Sequence, residues 1–198
     1  MEELMVLIDG LPREIIIAGE KIVVNTDYRL WLLLDALLFD KEIRDSERAG
    51  MALSLIFGED LPEAVKSNKD IAFERVMCFF NCGEKAKGKS KKSIKEKAYD
   101  YTEDWGMIYA AFLQCYHIDI LNTEKPLHWW QFRALFSALT EECQMVKAMS
   151  YRTADLSKIK NKEQREQYRK LKEAYRLGDS MTTEEKIASA GALFAPKI

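Results

Sequence analysis

The sequence predicts a mainly α fold: a compact helical domain of about six helices with an N-terminal β-hairpin. Three observations carry this. Tyr101, Trp105, Ile108, Phe112 and Tyr116 recur at spacings of three and four, as one side of an α-helix requires. Leu30, Leu33, Leu34, Leu37 and Leu38 repeat the pattern earlier in the chain. Two β-branched runs, Glu14-Ile15-Ile16-Ile17 and Lys21-Ile22-Val23-Val24, flank Ala18-Gly19-Glu20, where Gly19 can supply the positive φ of a tight turn.

The elements follow in order. After the hairpin (residues 13–24), Asn25 or Thr26 can cap a helix running through Phe39, with Asp27 near its positive end. A second helix is expected from about Ser46 to Phe57, stopped by Gly58. Pro62 suits the first turn of a third, whose Val65, Ala72, Val76, Phe79 and Phe80 make an apolar side and which Asn81-Cys82-Gly83 ends. The aromatic helix comes next, with Glu103 and Asp104 in its first turn and five large side chains to bury. Thr123 is expected to start a helix spanning Leu127 to Leu139, with Pro126 in its first turn. Thr140-Glu141-Glu142-Cys143 opens another, to about Ser150, and a charge-laced helix runs from Lys162 to Leu177, ending at Gly178. These expectations define a single domain over residues 1–177, interrupted by a basic loop at 84–97 and followed by a loosely ordered tail at 178–198.

Composition narrows the function classes. A hydrophobic fraction of 47% over 198 residues supports a core. The net charge is −2, yet residues 84–97 alone hold seven lysines and two glutamates, so an acidic body carries a local charge of +5. That loop would attract phosphates. It holds no arginine and no aromatic residue, which argues against base reading or stacking and so against nucleic acid as the partner. Met1-Glu2-Glu3-Leu4 places acids where a signal peptide needs positive charge, and the window Leu30 to Phe39 is far short of the ~20 apolar residues of a membrane span. No membrane association is expected, and the expected location is the cytoplasm of the cell that makes the protein.

Catalytic and metal chemistry are nearly unrepresented. The chain has no phosphate-binding glycine motif and no nucleophile elbow. Its two histidines, His117 and His128, sit at helix ends, with no nucleophile placed beside either by local spacing. Cys78, Cys82, Cys115 and His117 would have to converge to hold zinc, without any short C-x-x-C pair. The better account of the four cysteines, Cys143 included, is free, partly buried thiols. No catalytic residue, no metal ligand and no cofactor is expected, and the chain reads as non-enzymatic.

Two segments point to binding and structure instead. In Leu127-His128-Trp129-Trp130-Gln131-Phe132 the aromatics cannot all face one way, so two sides of that helix need cover. One tryptophan is expected in the core. Trp129, Trp130 and Phe132 are the candidate partner-binding residues, since tryptophan is enriched among interface hot spots. In Tyr151-Arg152-Thr153-Ala154-Asp155-Leu156, Arg152 and Asp155 stand three apart, where a helical turn would pair their charges structurally.

These two blocks follow Tyr99-Asp100-Tyr101-Thr102-Glu103-Asp104 and Tyr116-His117-Ile118-Asp119-Ile120, and precede the charged run Lys160 to Arg169. In that order they resemble a family of small proteins from tailed bacteriophages and prophages of Gram-positive bacteria, labelled by the phage gene-product number fifteen. The resemblance runs from the hairpin to about Leu177. It implies a gene in the tail module, between the major tail protein and the tape-measure protein, where tail assembly chaperones are encoded. The implied function is therefore a non-enzymatic tail assembly protein, a chaperone for the tape-measure protein, in the host cytoplasm. The alternative is a minor structural protein of the virion at a tail or connector interface, and a nucleic-acid-binding accessory protein comes third. The implied partners are phage tail proteins, with self-association open.

Overall fold

A computed structural model describes residues 9–40, 42–84, 97–122 and 124–178. The basic loop, apart from Glu84 and Lys97, and the tail from Asp179 onward lie outside the described residues, as does Thr123. The fold is mainly helical with an N-terminal antiparallel hairpin, as the periodicities predict. Contacts gather into two units, whose described parts are residues 9–40, 42–84 and 124–134, and residues 97–122 and 135–178.

The first unit opens with β1 (Glu14–Ile17) and β2 (Glu20–Val23), in the register Ile15 opposite Ile22 and Ile17 opposite Glu20. The turn is shorter than expected. Glu20 is a strand residue, leaving only Ala18 (φ +50°) and Gly19 (φ +89°), the two positive φ values of a primed two-residue turn. Alternation then buries Ile15 and Ile17 and turns Ile16 outward.

Helix α1 (Tyr28–Phe39) is capped by Asp27, not by Asn25 or Thr26. Asp27 accepts the Arg29 N–H at 3.1 Å, while the Asn25 side chain is occupied by the Asp27 N–H at 2.9 Å. Tyr28, Trp31, Leu34 and Leu37 are its core residues, and Phe39 is exposed. No basic residue lies in the last turn of α1. Arg48 of α2 (Asp45–Phe57) reaches back instead and donates to the carbonyls of Leu37, Leu38, Asp40 and Ile43. Helix α2 stops where expected: Gly58 takes φ +86° and returns its N–H to Ser54 O at 2.9 Å.

The expected third helix is two, α3 (Glu63–Ser67) and α4 (Lys69–Phe80). Asn68 breaks it at φ −137°, ψ 50°, with its side-chain amide donating to Ala64 O at 3.0 Å. Val65, Ala72, Val76, Phe79 and Phe80 are buried as their spacing requires. Asn81-Cys82-Gly83 ends α4, with both Cys82 and Gly83 at positive φ.

In the second unit, α5 (Trp105–Tyr116) begins four residues after Tyr101. Tyr101 is nonetheless buried from the preceding turn, its ring against Tyr99 and Phe136. Trp105 is not a core residue. It is 45% exposed, because the stripe is wider than the side of the helix that packs. His117 closes α5 in the left-handed region and donates its N–H to Leu113 O. Helix α6 (Trp129–Ser137) is shorter than the predicted Leu127 to Leu139 span. Its residues up to Ala134 belong to the first unit, and those from Leu135 to the second. Pro126 and Leu127 precede it, and His128 forms an isolated bridge with Asp27.

Helix α7 (Gln144–Thr153) runs three residues beyond Ser150, with Cys143 at its N-cap position and Glu141 and Glu142 in the turn before. A single 3-10 turn (Leu156–Lys158) leads to α8 (Lys162–Ala174), where Asn161 accepts the Gln164 N–H. Helix α8 packs on α7 through Tyr168, with Tyr175 just beyond its end, both against Tyr151. Its other sides present charge to solvent, a pattern that stabilises by packing one narrow stripe.

Candidate functional site

Each unit has one polar cluster built from the segments the sequence singles out. In the first unit it is the start of α6. His128 occupies the N-cap position: its Nδ1 accepts the Trp130 N–H at 3.0 Å, while Gln131 Oε1 accepts the His128 N–H at 3.3 Å. This is the reciprocal arrangement of a capping box, with histidine in place of serine or threonine. An amide can only donate, so Nδ1 is unprotonated, and Nε2 carries the hydrogen given to Pro12 O at 2.7 Å. Burial pushes the His128 pKa down, and the nearby Arg13 adds to that against the Pro12 hydrogen bond. His128 is thus a neutral, doubly engaged cap, a role that its position at a helix start only half suggests.

The two tryptophans then do the same thing side by side. Trp129 Nε1 donates to Phe80 O and Trp130 Nε1 to Phe79 O, each at 2.9 Å. These carbonyls belong to the last turn of α4, where backbone acceptors have no partner within the helix. One helix start therefore adds two donors to another helix's end, where Phe79 O also accepts the Cys82 N–H at 2.9 Å. Trp129 is fully buried, stacked on Phe80 with Trp31 beyond, and the Arg133 guanidinium lies 5.5 Å from its ring centroid. Phe132 is buried and stacked on Tyr28 at 4.6 Å. Only Trp130 of the three candidate binding residues is half-exposed, resting on Phe79 and on the bare backbone of Gly83. Trp129 and Phe132 present no ring to a partner from the surface. Their faces are taken by Trp31, Phe80 and Tyr28.

In the second unit the cluster centres on Arg152, which is 6% exposed. It grips Asp104 (2% exposed) with both terminal nitrogens, at 2.6 and 2.8 Å. It also donates to Ala98 O at 3.1 Å and to Tyr175 O. Asp104 Oδ2 accepts the Asp100 N–H as well. Burial works against the Asp100 carboxylate, but the Lys97 ammonium and the N–H groups of Thr102 and Glu103 outweigh it and hold its pKa well below the usual range. Lys172 donates to the carbonyls of Arg152 and Ala154 at the end of α7.

Arg152 and Asp155 are not brought together. Helix α7 ends at Thr153 and Ala154 is extended, so the three-residue spacing no longer spans a helical turn. Asp155 instead caps the 3-10 turn, accepting from the Ser157 N–H and hydroxyl, and pairs with Lys158. The true partner, Asp104, is 48 residues away. By sequence Glu103-Asp104 reads as first-turn charge on α5, and nothing in local spacing marks one of the two for burial. Among the described residues, no group of three or more His, Cys, Asp or Glu is placed to hold a metal ion, and no helix is long and apolar enough to cross a membrane.

The sequence profile of a family described as "Bacteriophage Gp15 protein" matches residues 7–177. No curated protein and no solved structure matches the chain. The blocks that form the two clusters lie within the matched span, which covers nearly all of both units, and the chain belongs to the Bacteriophage Gp15 protein family.

Proposed function

We propose that this phage protein is a non-enzymatic tail assembly factor, a chaperone that holds the tape-measure protein in the host cytoplasm before the tail tube forms around it. The observation that supports the reading most is the outward side of α5. No residue of α5 carries a charge. Trp105, Tyr109 and Leu113 follow one another at steps of four, with Trp105 45% and Leu113 37% exposed. Gly106 and Ala110 are exposed beside them, and a methyl group added at Gly106 would meet open space. A surface helix normally turns charge outward. One that turns aromatic and small residues outward suits an apolar side of another helix, which is what a long helical client offers. Within the Trp129 block, Trp130 is the residue assigned to the surface, with Trp129 and Phe132 supporting it from inside.

The test is co-expression with the tape-measure protein encoded beside it, followed by pull-down and a solubility assay. Wild-type protein is expected to co-purify with its client and keep it in the soluble fraction. Trp105→Ala combined with Leu113→Ala is expected to reduce recovery at least tenfold while leaving the far-ultraviolet circular dichroism unchanged. A tape-measure protein equally soluble with and without this chain overturns the proposal. A second reading, a minor structural protein that stays in the particle, draws on the hairpin: Ile16 and Val23 are exposed on strands that can pair with another chain. Mass spectrometry of purified virions separates the two, since a chaperone leaves before the particle is complete.

A further inference from the structure

The sequence offers four free thiols, and two of them meet. Cys115, the penultimate residue of α5, and Cys143, at the start of α7, place their sulfurs 2.9 Å apart. Closing the ~2.05 Å bond of a disulfide from there brings the two sulfurs together by about 0.9 Å. Thr140 is the third member, with its hydroxyl 3.5 Å from Cys143 Sγ and 3.8 Å from Cys115 Sγ. The two cysteines differ in access: Cys115 is partly exposed and Cys143 is buried.

We propose that Cys115 and Cys143 form a reversible oxidation site that takes hydrogen peroxide and closes to a disulfide. In the first step the Cys115 thiolate attacks one peroxide oxygen. The O–O bond breaks, the second oxygen leaves as hydroxide and takes a proton to become water, and Cys115 becomes a sulfenic acid. In the second step Cys143 sulfur attacks Cys115 sulfur. The S–S bond forms, the S–O bond breaks, and the hydroxyl leaves as water with the Cys143 proton. Two thiols have together lost two electrons and two protons, and the peroxide has been reduced to two waters. A dithiol reductant reverses the outcome by exchange.

The division of labour has support beyond access. The Cys143 hydrogen bond, then hydrogen bonding from Thr140, hold the Cys115 thiol below its ordinary pKa, favouring the thiolate there. Burial, then the hydrogen bond with Cys115, push Cys143 up, so it waits as the thiol that resolves. The closed bond would bridge a 28-residue separation and remove chain entropy from the unfolded state.

The experiment treats the full chain with hydrogen peroxide and reads it by thiol titration, non-reducing peptide mapping and thermal unfolding. The titre is expected to fall from four free thiols to two, with one new linkage joining the Cys115 and Cys143 peptides. The midpoint of unfolding is expected to rise by roughly 5–10 °C and to return with dithiothreitol. Cys115→Ser, at the more accessible position, is expected to abolish both the linkage and the shift. The mapping of wild-type protein stands even if Cys143→Ser fails to fold. Four thiols still titrating after peroxide, a linkage through Cys78 or Cys82, or a sulfinic acid at Cys115 with no linkage would each overturn the proposal.

Discussion

Replacing Arg152 with alanine removes the centre of the buried polar cluster of the second unit. The substitution leaves Asp104 buried at 2% exposure with the Asp100 N–H as its remaining described donor. It also strips the carbonyls of Ala98 and Tyr175 of the donors Arg152 gives them. Removing one member of a buried ion pair costs about 3–5 kcal/mol, because the other charge stays uncompensated. Taking about 4 kcal/mol, against a typical stability of 5–15 kcal/mol, the unfolding midpoint should fall by roughly 8–16 °C for a chain of this size. The assay is thermal and urea unfolding followed by circular dichroism, in a cycle with Asp104→Ala. Because the two residues share one interaction, the double variant should be little worse than either single one. Arg152→Lys should recover under half of the loss, since an ammonium cannot hold the carboxylate bidentately and reach two carbonyls as well. Asp155→Ala is the control. It caps one exposed 3-10 turn, so its loss should be far smaller than that of Arg152→Ala. A loss below 1 kcal/mol for Arg152→Ala, or an equal loss for Asp155→Ala, would refute the account of Arg152 as the centre of this cluster.

The first unit gives two further expectations. Trp129→Ala should cost about 3–5 kcal/mol, as for other buried aromatics, and Trp130→Ala clearly less, measured by urea unfolding; equal losses would contradict the difference in burial. His128 is held neutral in the fold with its pKa depressed, whereas the unfolded chain takes up a proton as pH falls through about 6.5. Its contribution is therefore full above that pH and is lost as pH drops below it, at no more than about 1.4 kcal/mol per pH unit. His128→Asn keeps an acceptor for the Trp130 N–H but cannot titrate there, so its stability should fall less between pH 7.5 and 5.5 than that of wild type. Identical slopes would refute the neutral-cap assignment.

What could be read from the sequence was what is written locally. The hairpin, the stop at Gly58 and the buried stripe of α4 each depend on residues within a turn or two of one another. The break at Asn68 escaped because it is made by a side-chain amide bonding back to Ala64, with no proline or glycine to announce it. The cap at Asp27 was one of three capping residues in a row, and which of them serves depends on Asn25 being engaged with Asp27 itself. Periodicity identifies the aromatic stripe of α5 but has no means of saying which of its flanks faces solvent, so it counts Trp105 with the core although that ring is exposed. Arg152 pairs with Asp104 and not with Asp155, because spacing reports neighbours along a helix and Asp104 approaches through the fold. A histidine followed three residues later by glutamine was a signal for the cap on α6, one that the usual list of capping residues leaves out.

The indole bonds of Trp129 and Trp130 also impose an order on synthesis. The carbonyls they close lie 49 and 51 residues earlier in the chain, and everything in the second unit up to Asn122 is made in between. At 5–20 residues per second the ribosome needs roughly 3–10 s to cover that distance. Over that interval the nascent chain holds α4 with its end turned locally by Asn81, Cys82 and Gly83, but without the indole bonds to Phe79 O and Phe80 O and with the core positions of Trp129 and Phe132 still empty. The first unit therefore cannot finish folding as it emerges, and any truncation before Glu124 would leave it permanently at that stage.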